Sequence, residues 1–325
     1  MFAYIVRRLL YAVPILIGVN LITFALFFVV NTPDDMARMQ LGVKRVTPEA
    51  IAKWKAERGY DKPLFWNGAA SGTAAATDTI FYSKSVRMFA LDFGRADDGR
   101  DISAEIRNRM GPSLAVAIPV FILGLWAAIA FALLLVFLRA TWLDMAGTVL
   151  CVAMMSISGL FYIIGGQWLV SKVWHWVPIS GYGEGLDAAR FVLLPVIISV
   201  IGGLGSGARW YRTLFLEEIG RDYVRTARAK GLSERVVLFG HVLRNALIPI
   251  LTGVVVVIPT LFMGSLLVES FFGIPGLGSY TIEAINAQDF GVVRAMVFIG
   301  ALLYILGLLL TDISYTWVDP RVRLQ

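Results

Sequence analysis

Six apolar stretches, roughly Leu9–Val30, Leu114–Leu138, Met145–Val170, Phe191–Leu204, Leu247–Phe272 and Val293–Trp317, constrain the fold of this 325-residue chain more than any other feature. At a rise of about 1.5 Å per residue, stretches of this kind match about 30 Å of hydrocarbon. With 58% hydrophobic and 16% charged residues, one soluble core cannot hold the apolar surface, so lipid must cover it. The predicted fold is all-α and polytopic, with six transmembrane helices. The fourth stretch is short and ends in Gly202-Gly-Leu-Gly-Ser-Gly207. Its helix is expected to run on through these small residues to Tyr211, where they let neighbouring helices approach closely.

Orientation is read from the short loops, because long ones cross a membrane largely regardless of charge. Arg7 and Arg8 precede the first stretch, and Arg321 and Arg323 follow the last. The loop Arg209–Asn245 carries Arg209, Arg212, Arg221, Arg225, Arg228, Lys230, Arg235 and Arg244, whereas Gly273–Val292 carries no Lys or Arg. Both termini and the basic loop are therefore expected in the cytoplasm. Residues 1–30 form the N-terminus and first helix, 31–112 an extracytoplasmic segment, and 113–325 the transmembrane core with its loop at 209–245.

Within the outer segment, Thr47-Pro-Glu-Ala-Ile-Ala-Lys-Trp-Lys-Ala-Glu-Arg-Gly59 has a threonine cap, a proline in the first turn and a glycine stop, so it predicts a helix. Asn67–Thr79, rich in Ala, Gly, Ser and Thr, reads as a flexible loop. The first apolar run is too long for a typical signal peptide, and no small-residue cleavage pattern follows Val30, so it is expected to remain as a span.

The formal charge of +6 raises nucleic acid as a partner, but the basic residues cluster at the ends of apolar segments and in one loop, which fits membrane orientation. Cys151 is the only cysteine, and His175 and His241 are far apart, so neither an intrachain disulfide nor a histidine–cysteine metal site is expected. Trp168, Trp174 and Trp176 flank the third stretch where an interfacial aromatic belt belongs.

The basic loop carries the functional signal. Ala227, Ala229 and Lys230 favour helix, and Gly231 supplies a stop. A second helical piece starts at Ser233 with Glu234 in its first turn and leads into the fifth stretch. Polarity alone is equally compatible with a solvated linker.

The ordered pattern Asp222-Tyr-Val-Arg-Thr-Ala-Arg-Ala-Lys-Gly231 resembles the cytoplasmic motif of the permease subunits of dipeptide and oligopeptide ATP-binding cassette (ABC) importers. That motif is roughly Glu-Ala-Ala, three residues, Gly. Here Arg225-Thr226-Ala227 and Gly231 occupy it, and the glutamate is absent, as is common in the peptide subgroup. Gly59-Tyr-Asp-Lys-Pro-Leu64, Leu91-Asp-Phe-Gly94, Glu269-Ser-Phe-Phe-Gly-Ile-Pro-Gly-Leu-Gly278, Asp289 and Asp312-Ile-Ser-Tyr-Thr-Trp-Val-Asp-Pro-Arg321 are similar to further family landmarks, so the resemblance covers essentially the whole chain.

The resemblance implies a type I importer permease fold in a bacterial inner membrane. It also implies a second homologous permease, two ABC ATPase subunits and an extracytoplasmic solute-binding protein as partners. The chain has no Gly-x-x-x-x-Gly-Lys-[Ser/Thr] loop, so ATP and magnesium are expected on the ATPase subunits, with no catalytic residue, metal or cofactor in this chain. Asp222, Tyr223, Arg225, Thr226, Ala227, Arg228 and Gly231 are the candidate coupling residues. In that reading Tyr223 is an aromatic anchor, Ala227 allows close approach, and the arginines pair with carboxylates of the ATPase; membrane orientation alone also accounts for the arginines. Glu269, Pro275, Gly276 and Gly278 are candidates for an external gate or contact, and a purely structural turn fits them equally. Glu269, at the end of an apolar run, is expected to stay hydrated at the interface.

Asn20 and Thr23 are expected either to bond neighbouring helices or to face the pathway. The rivals to this reading are a self-contained secondary transporter, a permease for nickel or another small solute, and an integral membrane enzyme. The first normally carries midplane ionisable groups and broken-helix repeats, and the last a cluster of His, Asp or Glu at one depth; neither pattern is evident.

Overall fold

The computed structural model describes residues 2–42, 46–183 and 185–318. Asp319, Arg321 and Arg323, which entered the reading of the C-terminus, lie outside the described residues. Among the described residues the regular structure is helical, with one isolated antiparallel bridge between Arg95 and Asp101. Helix is the expected outcome for backbone in lipid, because it satisfies its own polar groups within one segment.

Among the described residues five helices are long and apolar enough to cross a membrane: Leu10–Val30, Ile102–Phe137, Ala188–Ile219, Glu234–Met263 and Phe290–Ser314. The third apolar stretch is a helix pair, Trp142–Ser156 and Gly159–Val173, bent by 88°; counted as one broken span it brings the number to six. At the break Ile157 is extended, and the Tyr162 hydroxyl donates to the Met154 carbonyl at 2.9 Å.

Several boundaries differ from the sequence reading. The second span's helix begins at Ile102 rather than Leu114, with the Asp101 carboxylate accepting from the Ala104 amide at 2.8 Å as its cap. The fourth runs from Ala188 through the glycine-rich stretch to Ile219. A Cβ on Gly205 would lie 2.7 Å from the Cys151 carbonyl oxygen, and one on Gly207 would lie 2.9 Å from the Ala128 Cβ, so these small residues do permit close helix approach. The fifth span starts at Glu234 and ends at Met263, well short of Phe272. Gly264, at φ +67°, breaks the helix there, and a separate short helix Leu266–Phe272 follows.

The described residues divide into two compact units, 2–109 with 280–309, and 110–279 with 310–318. In the first, the helices Pro33–Leu41 and Pro48–Arg58 are capped by Thr32 and Thr47, and Gly59 adopts the left-handed conformation at φ +66° that stops the second of them. Their buried Met36, Ala37 and Trp54 pack with Tyr60, Ile80, Phe24 and Phe28. Phe24 meets Phe81 edge-on at 5.1 Å, and Phe28 meets Tyr60 at 5.3 Å. Asn20 donates to the Ser85 carbonyl at 3.1 Å, tying the first span to this segment, whereas the Thr23 hydroxyl donates to the Val19 carbonyl of its own helix at 2.7 Å. The stretch read as a flexible loop contains the helical turn Ala74–Thr77 and is pinned by a bond from the Asn67 amide to the Ala75 carbonyl.

In the second unit the third span's first helix packs along the fourth span. Asp144 and Arg212 join them in a bidentate pair, with the guanidinium Nη2 2.9 Å from both carboxylate oxygens. Both side chains are largely withdrawn from solvent, at 12% and 24% exposure. Truncating one partner strands the other charge, so Asp144→Ala is expected to lower stability by about 2 kcal/mol. A thermal-unfolding double-mutant cycle checks this: the Asp144→Ala, Arg212→Ala protein should lose less than the sum of the single variants.

Candidate functional site

The basic loop is a short helix, Asp222–Ala229, set between the fourth and fifth spans. Asp222 in its first turn and Arg228 in its last match the helix dipole. Gly231 closes it at φ +77°, where its amide donates to the Arg228 carbonyl at 2.9 Å, so the sequence-predicted stop is present. Val224 and Ala227, one turn apart, are buried among Phe215, Val237, Leu238, Val242 and Ala246. The helix is therefore a two-sided element with one apolar side sunk into the second unit.

This division sorts the candidate residues. Asp222, Arg225 and Thr226 are exposed, as are Arg221, Ala229, Lys230 and Gly231. Arg225 retains 75% of its side-chain exposure and sits 3.4 Å from Asp222. Ala227 faces inward, so it supports close packing within the chain rather than against a partner. Tyr223 is half-buried and donates its hydroxyl to Glu218 in the last turn of the fourth span. Burial, then the Glu218 bond, pushes that phenol up to about 12, so it remains a donor at physiological pH. Arg228 donates from Nε and Nη2 to the Glu234 carboxylate at 2.8 and 3.3 Å, and Arg139 lies 4.0 Å from the same carboxylate. Arg228 thus ties the end of the loop helix to the start of the fifth span.

Glu269 differs from its expected hydrated state, being fully buried at 0% exposure. Its carboxylate accepts from the amides of Ser265 at 3.1 Å, Gly278 at 2.7 Å and Ser279 at 3.1 Å, and from the Ser113 hydroxyl. Ser113 in turn accepts from the Leu277 amide at 2.7 Å. The turn wraps around this one carboxylate: a Cβ on Gly264 would fall 2.0 Å from Oε1, and one on Gly276 would fall 2.3 Å from Oε2. Gly278 is equally confined, its Cβ position lying 2.6 Å from the Ser265 carbonyl. Among the four residues singled out here, only Pro275 is exposed.

The sequence reading missed Ser113, Ser265 and Gly264 as partners in this turn, and Glu218 and Glu234 as anchors of the loop helix. The spacing Ser265-x-x-x-Glu269 just before a short apolar helix was a local signal, since Ser265 caps the Val268 amide at 3.4 Å. Ser113 is 164 residues from Leu277 and left no local signal.

Comparison with known proteins supplies an independent line. Residues 112–324 match the family model described as binding-protein-dependent transport system inner membrane component, and residues 1–70 match the N-terminal model of the same kind of membrane component. A dipeptide transport system permease protein of Escherichia coli is 30% identical over 351 residues, covering 99% of each chain. One from Alkalihalophilus pseudofirmus is 28% identical, covering 99% of this chain and 100% of its own. A Brucella suis protein named, by inference, as a peptide transport system permease protein is 31% identical over 99% of both chains.

An uncharged isostere cannot replace the central carboxylate, because an amide presents one acceptor oxygen where two are used. Glu269→Gln is expected to cost at least about 2 kcal/mol through unpaired buried amides. Gly276→Ala should be at least as damaging, through the clash alone. The thermal-unfolding midpoint of the purified protein measures both, and a Glu269→Gln midpoint equal to that of the parent would contradict the carboxylate's structural role.

Proposed function

The chain belongs to the family of inner-membrane components of binding-protein-dependent transport systems, and from that membership we propose that it forms half of the pathway of a peptide importer in a bacterial inner membrane. It is a permease subunit of an ABC importer, a class in which the ATPase is a separate subunit. The peptide substrate is supported by the names of full-length relatives, which point to peptides or dipeptides rather than nickel. In this reading a second, homologous permease completes the pathway, two ATPase subunits bind ATP and magnesium, and an extracytoplasmic binding protein delivers the peptide. The basic loop and both termini face the cytoplasm, as the distribution of Lys and Arg over the short loops favours. Family membership supports this reading over a self-contained transporter.

The observation that carries the coupling mechanism is the two-sided loop helix. Its Val224–Ala227 side is buried in the spans, while Asp222, Arg225 and Thr226 form an exposed ridge. A groove on an ATPase subunit would receive that ridge, and closure of the ATPase pair would displace the helix as a rigid body. Glu218 and Glu234, holding Tyr223 and Arg228, would pass the displacement to the fourth and fifth spans. Arg225 is then a contact residue and Arg228 a positioning residue.

These roles separate experimentally in membranes expressing the whole importer. Arg225→Glu is expected to reduce copurified ATPase about tenfold, equivalent to about 1.4 kcal/mol of docking energy. Arg228→Ala should retain the ATPase but lower peptide uptake per ATP hydrolysed. Loss of ATPase in neither variant would remove the ridge as the docking surface. Failure of the unmodified chain to retain any ATPase under mild extraction would overturn the importer assignment itself.

A further inference from the structure

A cavity of about 310 Å³ in the first unit lies beside the start of the last span and is lined by Arg58, Lys84, Arg95, Asp97, Asp289 and Arg294, among others. Arg294 is a permanently charged group in a membrane-spanning helix, and it is only 3% exposed. Its Nε and Nη1 have no hydrogen-bond partner among the described residues. The guanidinium is stacked 4.8 Å from the centre of the Phe28 ring, which holds it in place but satisfies none of its donors. Lys84 forms no ion pair among the described residues and stands 5.0 Å from the Tyr60 ring centre.

Of the acids that line the cavity, Glu57 is exposed and lies 3.9 Å from Arg58, while Asp289 and Asp97 are engaged in shorter bonds. Asp289 accepts from the Asp97 amide at 2.7 Å and from the Val292 amide at 3.1 Å, capping the last span. Asp97 accepts from Arg58 at 2.7 Å and from Gln40. Two cations therefore converge on one polar cavity without a hydrogen-bonded counter-ion among the described residues. Lys84 registers this crowding: burial first, then the Arg294 charge, draws its ammonium down to about 8. Buried charges in membrane segments are normally paired or serve a ligand.

We propose that this cavity is an oxyanion site that takes a phosphate group, with Arg294 and Lys84 as its two cationic contacts. Phosphate suits the site better than a lone carboxylate because it presents more acceptor oxygens to separate donors, and the cavity has room for it. Arg294 is one turn into the helix that begins at Phe290, about 6 Å along its axis. Arg294 therefore lies at the end of the span rather than in its middle, where a lipid headgroup can reach it as well as a dissolved ion. The phosphate can come from a lipid headgroup or from free solution. The site is independent of what the protein transports and of how it couples to an ATPase.

The test uses the full chain with its partner subunits, delipidated in detergent, and two probes: inorganic phosphate, with chloride matched for ionic strength, and phosphatidylglycerol. Thermal unfolding reads stabilisation by each, and native mass spectrometry counts bound lipid. Midpoint stabilisation by inorganic phosphate identifies the free ion as the source; retention of one phosphatidylglycerol without a phosphate response identifies the headgroup. In either case Lys84→Gln and Arg294→Gln should weaken the response about tenfold or more. Lys84→Gln, at a half-buried position outside the spans, keeps the test decisive if Arg294→Gln fails to fold. Equal responses of parent and Lys84→Gln to both probes, or no response of the parent to either, overturn the proposal.

Discussion

Inside hydrocarbon an unpaired amide or carbonyl has no water to turn to, and each such group costs on the order of several kcal/mol. This constraint makes the chain helical and dictates what must happen where helix stops. At the kink after Ser156 the Tyr162 hydroxyl supplies a donor to the Met154 carbonyl. At the larger interruption between Met263 and Leu277, Glu269 supplies acceptors to three amides that no helix serves. The carboxylate is buried because the backbone around it is irregular, and the glycines are required because the backbone must close on it. Glu269, Gly264, Gly276 and Gly278 form one device, and any one of them read alone looks like a surface residue or a flexible turn.

Sequence periodicity and hydropathy located the spans well, because burial in lipid depends on composition that is visible locally. They placed span ends poorly. The second helix extends to Ile102 because Asp101 caps it, and polar residues past the membrane boundary do not stop a helix that has a cap. The fifth ends at Met263 although apolar residues continue to Phe272, because Gly264 at φ +67° breaks the run. The cap at Thr47, the stop at Gly59 and the stop at Gly231 were legible, since each is set by one residue's conformational preference. The burial of Glu269 was not legible, since it depends on Ser113, a residue far away in the chain.

The loop helix shows the same limit at the candidate site. Its existence follows from residues within one turn of one another. Which of its residues are free does not, because Val224 and Ala227 are turned inward by apolar partners on two different spans. Arg225 and Arg228 are indistinguishable in sequence, both lying in a basic helix. The structure separates them through Glu234, six residues beyond Arg228, so that one arginine stays exposed beside Asp222 and the other is spent on holding the loop.

The way the loop is held also bears on where the protein can deform. Tyr223 fastens one end of the helix to the fourth span, Arg228 fastens the other to the fifth, and the apolar side is packed against both, so the joint itself is stiff. Immediately beyond it, Val237–Val242 is wound as a π-helix, a conformation rare in proteins and concentrated at functional sites. Pro249 follows within the same span and removes a further backbone bond. A push on the exposed ridge would thus reach a span whose first turns are wound irregularly. The fifth span departs from α-helical winding at both ends, as a π-helix over Val237–Val242 and as a 3-10 helix over Ile258–Met263.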